Sequence, residues 1–195
     1  MTKKPKSRQR LAVNAFPEDG QHRRPTGRLP SFTAIDFETA DQGSDSACAV
    51  GVVRVEEGRI TQRFHRLIRP PRQDFVFTYI HGITWGQVCV EPTFAELWPQ
   101  IQEAIGEAEF LAAHNARFDR KVMDTCCLSA GVIPPRRPYV CTVELARKTW
   151  SIFPTQLPMV CGRLNIDLNH HEALSDAEAC ARIVLAALKT GWRPS

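Results

Sequence analysis

The stretch that decides the fold is Phe32-Thr-Ala-Ile-Asp-Phe-Glu-Thr39, which has the residue types of a β-strand. Side chains alternate between the two faces of a strand, so Asp36 and Glu38 share one face while Ile35 and Phe37 share the other. Two carboxylates side by side repel each other and are costly to desolvate, unless a cation neutralises them or one takes up a proton. Magnesium and manganese suit such oxygen ligands. The alternative is a solvated strand end whose two acids do no chemistry.

The segments on either side of this strand predict how the sheet begins and continues. Two further strands are predicted at Ala47 to Val55 and Arg59 to Ile68, with a turn-like Glu56-Glu57-Gly58-Arg59 between them. These three strands form an antiparallel meander. The later strands and helices that the patterns predict are a helix from the capping box Thr93-Phe-Ala-Glu96 to about Ala108 with Pro99 badly placed in it, a strand at Phe110 to Ala113, a helix after Arg117, a strand at Tyr139 to Cys141, a helix near Val143 to Trp150, and a last helix from a capping box at Ser175 and Glu178. The expected fold class is α/β, a mixed sheet flanked by helices.

Charge and composition predict one folded domain with a basic arm. The chain has 195 residues, of which 43% are hydrophobic and 24% charged, as expected for a soluble globular protein. Residues 1–30 have a net charge of +6 and several prolines, whereas residues 31–195 have a net charge of −2. We therefore expect a disordered basic arm over 1–30 and a folded domain over 31–195. The arm indicates a polyanionic partner, although charge runs are often merely solvated.

Cysteine usage and hydropathy predict the compartment. The seven cysteines are odd in number and show no C-x-x-C spacing, which favours reduced thiols over a zinc site or a disulfide framework. The N-terminus is polar where a signal peptide needs an apolar stretch, and no apolar run is long enough to span a bilayer. We expect a cytoplasmic protein without a membrane partner.

Two further polar clusters lie where a sheet edge would gather them. The first, His114-Asn-Ala-Arg-Phe-Asp119, follows a predicted strand, although Asn115 or Asp119 could simply cap the next helix. The second, His171-Glu-Ala-Leu-Ser-Asp176, opens the last helix. Taken alone, Asp176 is explained by the helix dipole and His171 by an ordinary surface position.

The ordered combination of Asp-x-Glu, Asn-x-x-x-Asp and His-x-x-x-x-Asp resembles the DEDDh 3′-to-5′ exonuclease family and is similar to the proofreading epsilon subunit of bacterial DNA polymerase III. The resemblance extends from Phe32 to Leu188 and includes His81-Gly-Ile-Thr84 and Thr142-Val-Glu-Leu-Ala-Arg147. It implies a ribonuclease H-like fold, in which parallel strands follow the three antiparallel ones. The chain ends at Ser195, soon after the last motif, so we expect a stand-alone member of the family.

The resemblance also implies the roles of the site residues. Two Mg²⁺ or Mn²⁺ ions would be held by four carboxylates, those of Asp36, Glu38, Asp119 and Asp176, with Asp36 bridging both ions. His171 would be the general base, taking a proton from the attacking water. The residues implied to bind the terminal nucleotide are Phe37, Thr39, His81, Ile83, His114, Asn115 and Phe118. Of these, Ile83 and Phe118 are equally compatible with the core.

The expected activity is a metal-dependent hydrolysis of single-stranded DNA from its 3′ end that releases nucleoside 5′-monophosphates. The alternatives are an RNA-directed enzyme resembling oligoribonuclease or ribonuclease T, and a nucleic-acid-binding accessory module with a dormant site. A ribonuclease H-type endonuclease is disfavoured by the spacing of His171 from Asp176. The intact set of four carboxylates argues against dormancy. The sequence predicts no particular protein partner.

Overall fold

The computed structural model describes residues 28–194, which form a five-stranded mixed sheet in the order β3-β2-β1-β4-β5. The first three strands are antiparallel neighbours: β1 (Phe32–Thr39), β2 (Ala47–Glu56) and β3 (Arg59–Leu67). The other two, β4 (Phe110–Ala113) and β5 (Tyr139–Cys141), run parallel to β1. The predicted fold class is confirmed. The arm predicted over 1–30 lies outside the described residues, apart from its last three positions.

Helices cover both faces of the sheet. They are α1 (Thr78–His81), α2 (Trp85–Val88), α3 (Phe94–Ile105), α4 (Arg117–Ser129), α5 (Thr142–Trp150), α6 (Leu157–Leu164) and α7 (Ala173–Lys189). One core lies between the sheet and α3 and α4, and it takes in Ile35 and Phe37 of β1. A second core lies between the sheet and the helices α5, α6 and α7, and it takes in Phe32 and Ala34. No helix between residues 28 and 194 combines the length and the apolar character needed to cross a membrane.

A close approach of α7 to the sheet places the start of this helix beside β1. Gly51 of β2 pairs directly with Asp36. A Cβ atom at Gly51 would lie 2.1 Å from the carbonyl oxygen of Ala173, the first residue of α7. Because only glycine leaves this space free, the N-terminal turn of α7 can lie against the strand that carries the acidic pair.

The last helix begins two residues earlier than its sequence pattern predicts. Glu172 is the N-cap, and its carboxylate accepts hydrogen bonds from the backbone N–H groups of Leu174 and Ser175. The predicted capping box at Ser175 and Glu178 is therefore wrong. The Ser175 hydroxyl instead accepts a hydrogen bond from the N–H of Asn169, and Glu178 binds arginine side chains.

Four other helices depart from prediction. Helix α3 ends at Ile105 rather than Ala108 because Gly106 turns the chain with a φ of 58°. Pro99 lies inside α3 on its exposed side, where the carbonyl that loses its partner can meet water. Helix α6 has no predicted counterpart; its Pro158 lies in the first turn, where a backbone N–H needs no helical partner. The short α1 and α2 were also not predicted.

Candidate active site

Three carboxylates from two elements meet at the end of β1. Asp36 and Glu38 lie on the face of β1 that is covered by α7, and Asp176 comes from the first turns of that helix. One carboxylate oxygen of each lies within 4.8 Å of one from the other two. The sequence pattern predicts the acidic face of the strand, and the docking of α7 adds the third acid from far along the chain.

Asp119 joins this group through the backbone of the strand. The residue is buried on α4, and its Oδ1 atom accepts a hydrogen bond of 3.1 Å from the N–H of Phe37. Asp119 is not one of the three carboxylates that meet within 4.8 Å, but its charge raises the pKa of Asp36 and of Glu38. The fourth predicted carboxylate is thus held at the same strand end, with one oxygen already engaged.

Burial and mutual repulsion favour the protonated, neutral form of these carboxylates. Burial raises the pKa of Asp36 well above its ordinary value, and the neighbouring carboxylates raise it further. The same causes raise the pKa of Glu38 to about 8. Burial raises the pKa of Asp119 to about 7 and also raises that of Asp176. In the described part of the chain, His170 is the one basic side chain paired with any of the four. Such a cluster is stable in its charged form only with an added cation.

The donor set fits a divalent metal ion. The Oδ1 atom of Asp176 is buried and has no hydrogen-bond partner within residues 28–194, and the residue belongs to a cluster of like charges. A buried polar atom without a partner is costly unless something binds it. Carboxylate oxygens are also the ligands that Mg²⁺ and Mn²⁺ prefer.

Two adjacent histidines contact the third acid in different ways. The Nδ1 atom of His170 lies 2.9 Å from Oδ2 of Asp176, and the backbone N–H of His171 donates to the same oxygen over 3.2 Å. The two rings stack with centroids 3.7 Å apart. His171 is exposed, has a φ of 68°, and has its pKa lowered by burial and by His170. Sequence reasoning missed the contact of His170 with Asp176, and only its adjacency to His171 pointed to it.

His81 connects the end of β1 to the His-Gly-Ile-Thr loop. Its Nδ1 atom accepts a hydrogen bond of 3.0 Å from the N–H of Ile83, so the proton is on Nε2, which donates to the carbonyl of Thr39 over 3.2 Å. Burial lowers the pKa of His81, in keeping with this neutral form. Both ring nitrogens are therefore engaged by the protein. Ile83 is half-buried, and the side chain of Thr39 is buried.

The remaining residues predicted to bind substrate divide by exposure. Asn115, with a φ of 63°, and Phe118 are exposed, so Phe118 is not a core residue. The Nδ1 atom of His114 lies 2.8 Å from the hydroxyl of buried Thr142, and its Nε2 atom lies 2.8 Å from the carbonyl of Thr155. The side chain of Phe37 is 3% exposed and packs in the core on the face opposite Asp36, so only its backbone reaches the site.

Comparison with known proteins decides the family. The model of the RNase_T family, described as exonuclease, matches residues 33–184. The chain belongs to this exonuclease family. The predicted resemblance to the DEDDh exonucleases is confirmed, and the chain carries a nuclease domain of the DEDDh type that acts on nucleic acid. Members of the DEDDh family generally depend on divalent metals.

Individual relatives of this exonuclease domain include a DNA polymerase subunit and an exodeoxyribonuclease. DNA polymerase III subunit epsilon of Aquifex aeolicus is 29% identical over 173 residues, covering 83% of this chain and 82% of that protein. Exodeoxyribonuclease 10 of Escherichia coli is 31% identical over 169 residues, covering 81% and 69%. Exonuclease X, solved in complex with 5′ overhanging duplex DNA, superposes with a TM-score of 0.67 at 25% identity, covering 83% of this chain and 93% of that one. The exonuclease domain also matches PolC-type DNA polymerases III, of which it spans only 12% in Thermotoga petrophila.

Proposed function

We propose that the protein hydrolyses single-stranded DNA from its 3′ end and releases nucleoside 5′-monophosphates. The observation that carries this proposal is the meeting of Asp36, Glu38 and Asp176 within 4.8 Å, with one buried oxygen of Asp176 left without a partner. The names of two relatives, an exodeoxyribonuclease and a DNA polymerase subunit, favour DNA as the substrate.

The four carboxylates would hold two divalent metal ions. Asp36, Glu38 and Asp176 offer oxygens close enough to share ions, and Asp119 offers the oxygen that Phe37 does not engage. Bound Mg²⁺ or Mn²⁺ would neutralise the scissile phosphate, lower the pKa of a water and stabilise the leaving oxygen. Asp36 lies on the same face of β1 as Glu38, and oxygens of both lie within 4.8 Å of an oxygen of Asp176, so Asp36 would help to hold both ions.

His171 would accept the proton of the attacking water. Its ring is exposed and makes no hydrogen bond to residues 28–194, and its lowered pKa keeps it neutral near pH 7, as a base must be. His170 has a different part in this proposal, since its ring contacts Asp176 and would hold that carboxylate in place.

RNA is the second candidate substrate. A 3′-exonuclease that shares this fold, with a TM-score of 0.70, was solved in recognition of a histone mRNA stem-loop. The fold therefore accommodates either sugar, and the four carboxylates do not choose between them.

The test is a comparison of matched substrates. Pure protein is incubated with Mg²⁺ and 5′-labelled single-stranded DNA, RNA of the same sequence, or a labelled dinucleotide, and the product ladders are read. We expect a ladder that shortens from the 3′ end, fastest on DNA, and no cleavage in excess EDTA. Faster cleavage of RNA would favour the second candidate. Internal cuts, or cleavage in EDTA, would contradict the proposed reaction.

The basic arm is proposed to add phosphate contacts without taking part in the chemistry. Its net charge over residues 1–30 is +6. Each phosphate contact to a single strand contributes a slope of about −0.7 to the logarithmic dependence of affinity on salt. Deletion of residues 1–30 should therefore weaken DNA binding and flatten this dependence, with turnover at saturating substrate little changed. An unchanged slope would show that the arm does not touch nucleic acid.

A further inference from the structure

An open cavity of about 540 Å³ lies next to the polar cluster His114–Asp119 and has no role in the proposed chemistry. Its lining comes from three places, which are Asn115 with its neighbour His114, Arg147 of α5, and the α5–α6 connection. Its lining includes Phe153 and Thr155. Arg147 is the one arginine or lysine in this lining, and the lining contains no aspartate or glutamate. The cavity therefore suits a ligand that is negatively charged.

Arg147 and Phe153 form a preassembled pair within this cavity. The guanidinium carbon of Arg147 lies 5.7 Å from the centroid of the Phe153 ring, and its Nη2 atom donates a hydrogen bond of 2.9 Å to the hydroxyl of Thr155. Phe153 is nevertheless 65% exposed. A large exposed aromatic ring beside an arginine is the combination that proteins use to stack a base of a single strand while contacting its phosphate.

The cavity lies beside the carboxylates. Beyond the Ala34–Ala112 pair, two more residues bring β1 to Asp36 and bring the chain after β4 to His114. His114 lines the cavity, and its Nε2 atom contacts the carbonyl of Thr155. The lining of the cavity therefore begins beside the strand end that carries Asp36.

We infer that Phe153 and Arg147 bind a nucleotide of the substrate strand upstream of the bond that is cut. The base stacks on the ring of Phe153, and the phosphate contacts Arg147. This inference rests on the proposed function, because it assumes that the ligand is a single-stranded nucleic acid. Such a site favours the binding of single strands, because a base must leave its paired base before it can stack on a side chain.

The test measures binding separately from cleavage. The affinity for 5′-fluorescein-labelled dT10 is measured by anisotropy in EDTA, and kcat and KM for the same strand are measured in Mg²⁺. Phe153→Ala should weaken binding about tenfold or more and raise KM with kcat little changed. Phe153→Leu keeps an apolar side chain but has no aromatic face, so it should weaken binding of dT10 to a similar extent. Arg147→Ala should reduce the salt slope by about 0.7.

The matched control is Leu128→Ala, which removes another exposed apolar side chain, on α4 and outside the cavity. It should bind dT10 like the wild type, and thermal melts should show that all the variants are folded. If Phe153→Ala binds and cleaves dT10 no worse than Leu128→Ala, the stacking site is wrong while the proposed function stands. If the wild type fails to cleave dT10 in Mg²⁺, the proposed function is wrong, whatever the binding data show.

Discussion

Two clusters of acids lie near the end of β1, and the pKa values of their carboxylates are shifted in opposite directions. The first follows β1, where Asp41 and Asp45 share the guanidinium of Arg72 at distances of 2.9 and 2.7 Å. Hydrogen bonds from Arg72 lower the pKa of both carboxylates. The second cluster contains Asp36 and its neighbours, and there burial and repulsion raise the pKa values.

This difference shows which of the two clusters is suited to bind a metal ion. The first carries its own cation, and a Cβ at Gly43 would lie 2.4 Å from the guanidinium, so this site is already filled. The second cluster has carboxylates from β1, α4 and α7, and in the part of the chain that the structure describes its acids pair with no lysine or arginine; the histidines His170 and His171 lie beside Asp176. An acid cluster that is complete in itself stabilises the fold, whereas one that lacks its cation is suited to bind a metal.

The largest expected effect comes from removing one charge of the second cluster. Asp36→Asn keeps the shape of the side chain and removes its charge, so it should lower turnover by at least about 10⁴-fold because the metal contribution is worth several kcal/mol. The same substitution should raise the Tm of the metal-free protein, because it relieves repulsion. Initial rates in Mg²⁺ and melts in EDTA measure the two effects. Asp41→Asn is the control, with near-normal turnover and a lower Tm; cleavage by Asp36→Asn near the wild-type rate would refute the metal assignment.

The next effect separates the proposed base from its neighbour. His171→Ala should lower kcat by about 10²–10⁴-fold, since a general base contributes that much, with binding of dT10 largely intact. His170→Ala should matter much less, because its ring contacts Asp176 rather than the attacking water. Single-turnover rates and anisotropy distinguish chemistry from binding. Reversed effects of the two substitutions would mean that His170 is the base, and two unimpaired variants would exclude a histidine base.

The two clusters should also respond oppositely to pH. The raised pKa of Glu38, about 8, and that of Asp119, about 7, mean that the folded state holds these protons more tightly than the unfolded chain. In EDTA, stability should therefore fall as the pH rises from about 5 to about 8, and added Mg²⁺ should reverse much of the fall. Melts across this range with and without Mg²⁺ measure it. A Tm that is flat with pH in EDTA would show that the acids are not held in repulsion.

The smallest expected effect is on the filled cluster. Arg72→Ala leaves two acids without their cation and should cost about 1–2 kcal/mol, a modest value because the arginine is partly exposed. The Tm should fall by roughly 2–8 °C, with turnover per folded molecule little changed. The loss should shrink at acid pH, below the ordinary pKa of an aspartate, because there even the lowered pKa values of Asp41 and Asp45 no longer keep the two side chains charged. Arg182→Ala is the control, because Glu178 keeps Arg63 as a partner after this substitution. If Arg182→Ala lost as much stability as Arg72→Ala, the contacts of Arg72 would be ordinary surface ion pairs.

The sequence predicts those features of the molecule that follow from local patterns of residues. The alternation in Phe32–Thr39 is enough to place Asp36 and Glu38 on one face, and the elements around it follow from their own periodicity. The order of the three polar motifs indicates the family, and the resemblance to that family implies the parallel strands. Local patterns suffice here because hydrophobic alternation and packing agree.

Long-range contacts explain what the sequence could not show. Ser175 and Glu178 have the spacing of a capping box, but Glu178 binds Arg63, which is 115 residues away on β3, and Glu172 caps the helix instead. The cavity beside Phe153 likewise depends on how α5 and the segment after it fold back beside His114. No local pattern marks an exposed phenylalanine as part of a site.

The contact of α7 with Gly51 also determines when the site can exist during synthesis. The hairpins that carry Asp36 and Glu38 end at Leu67, and the helix that carries Asp176 begins roughly a hundred residues later. A chain emerges from the ribosome with its N-terminus first. A nascent chain therefore holds an incomplete set of carboxylates until the last helix has emerged and docked against the sheet.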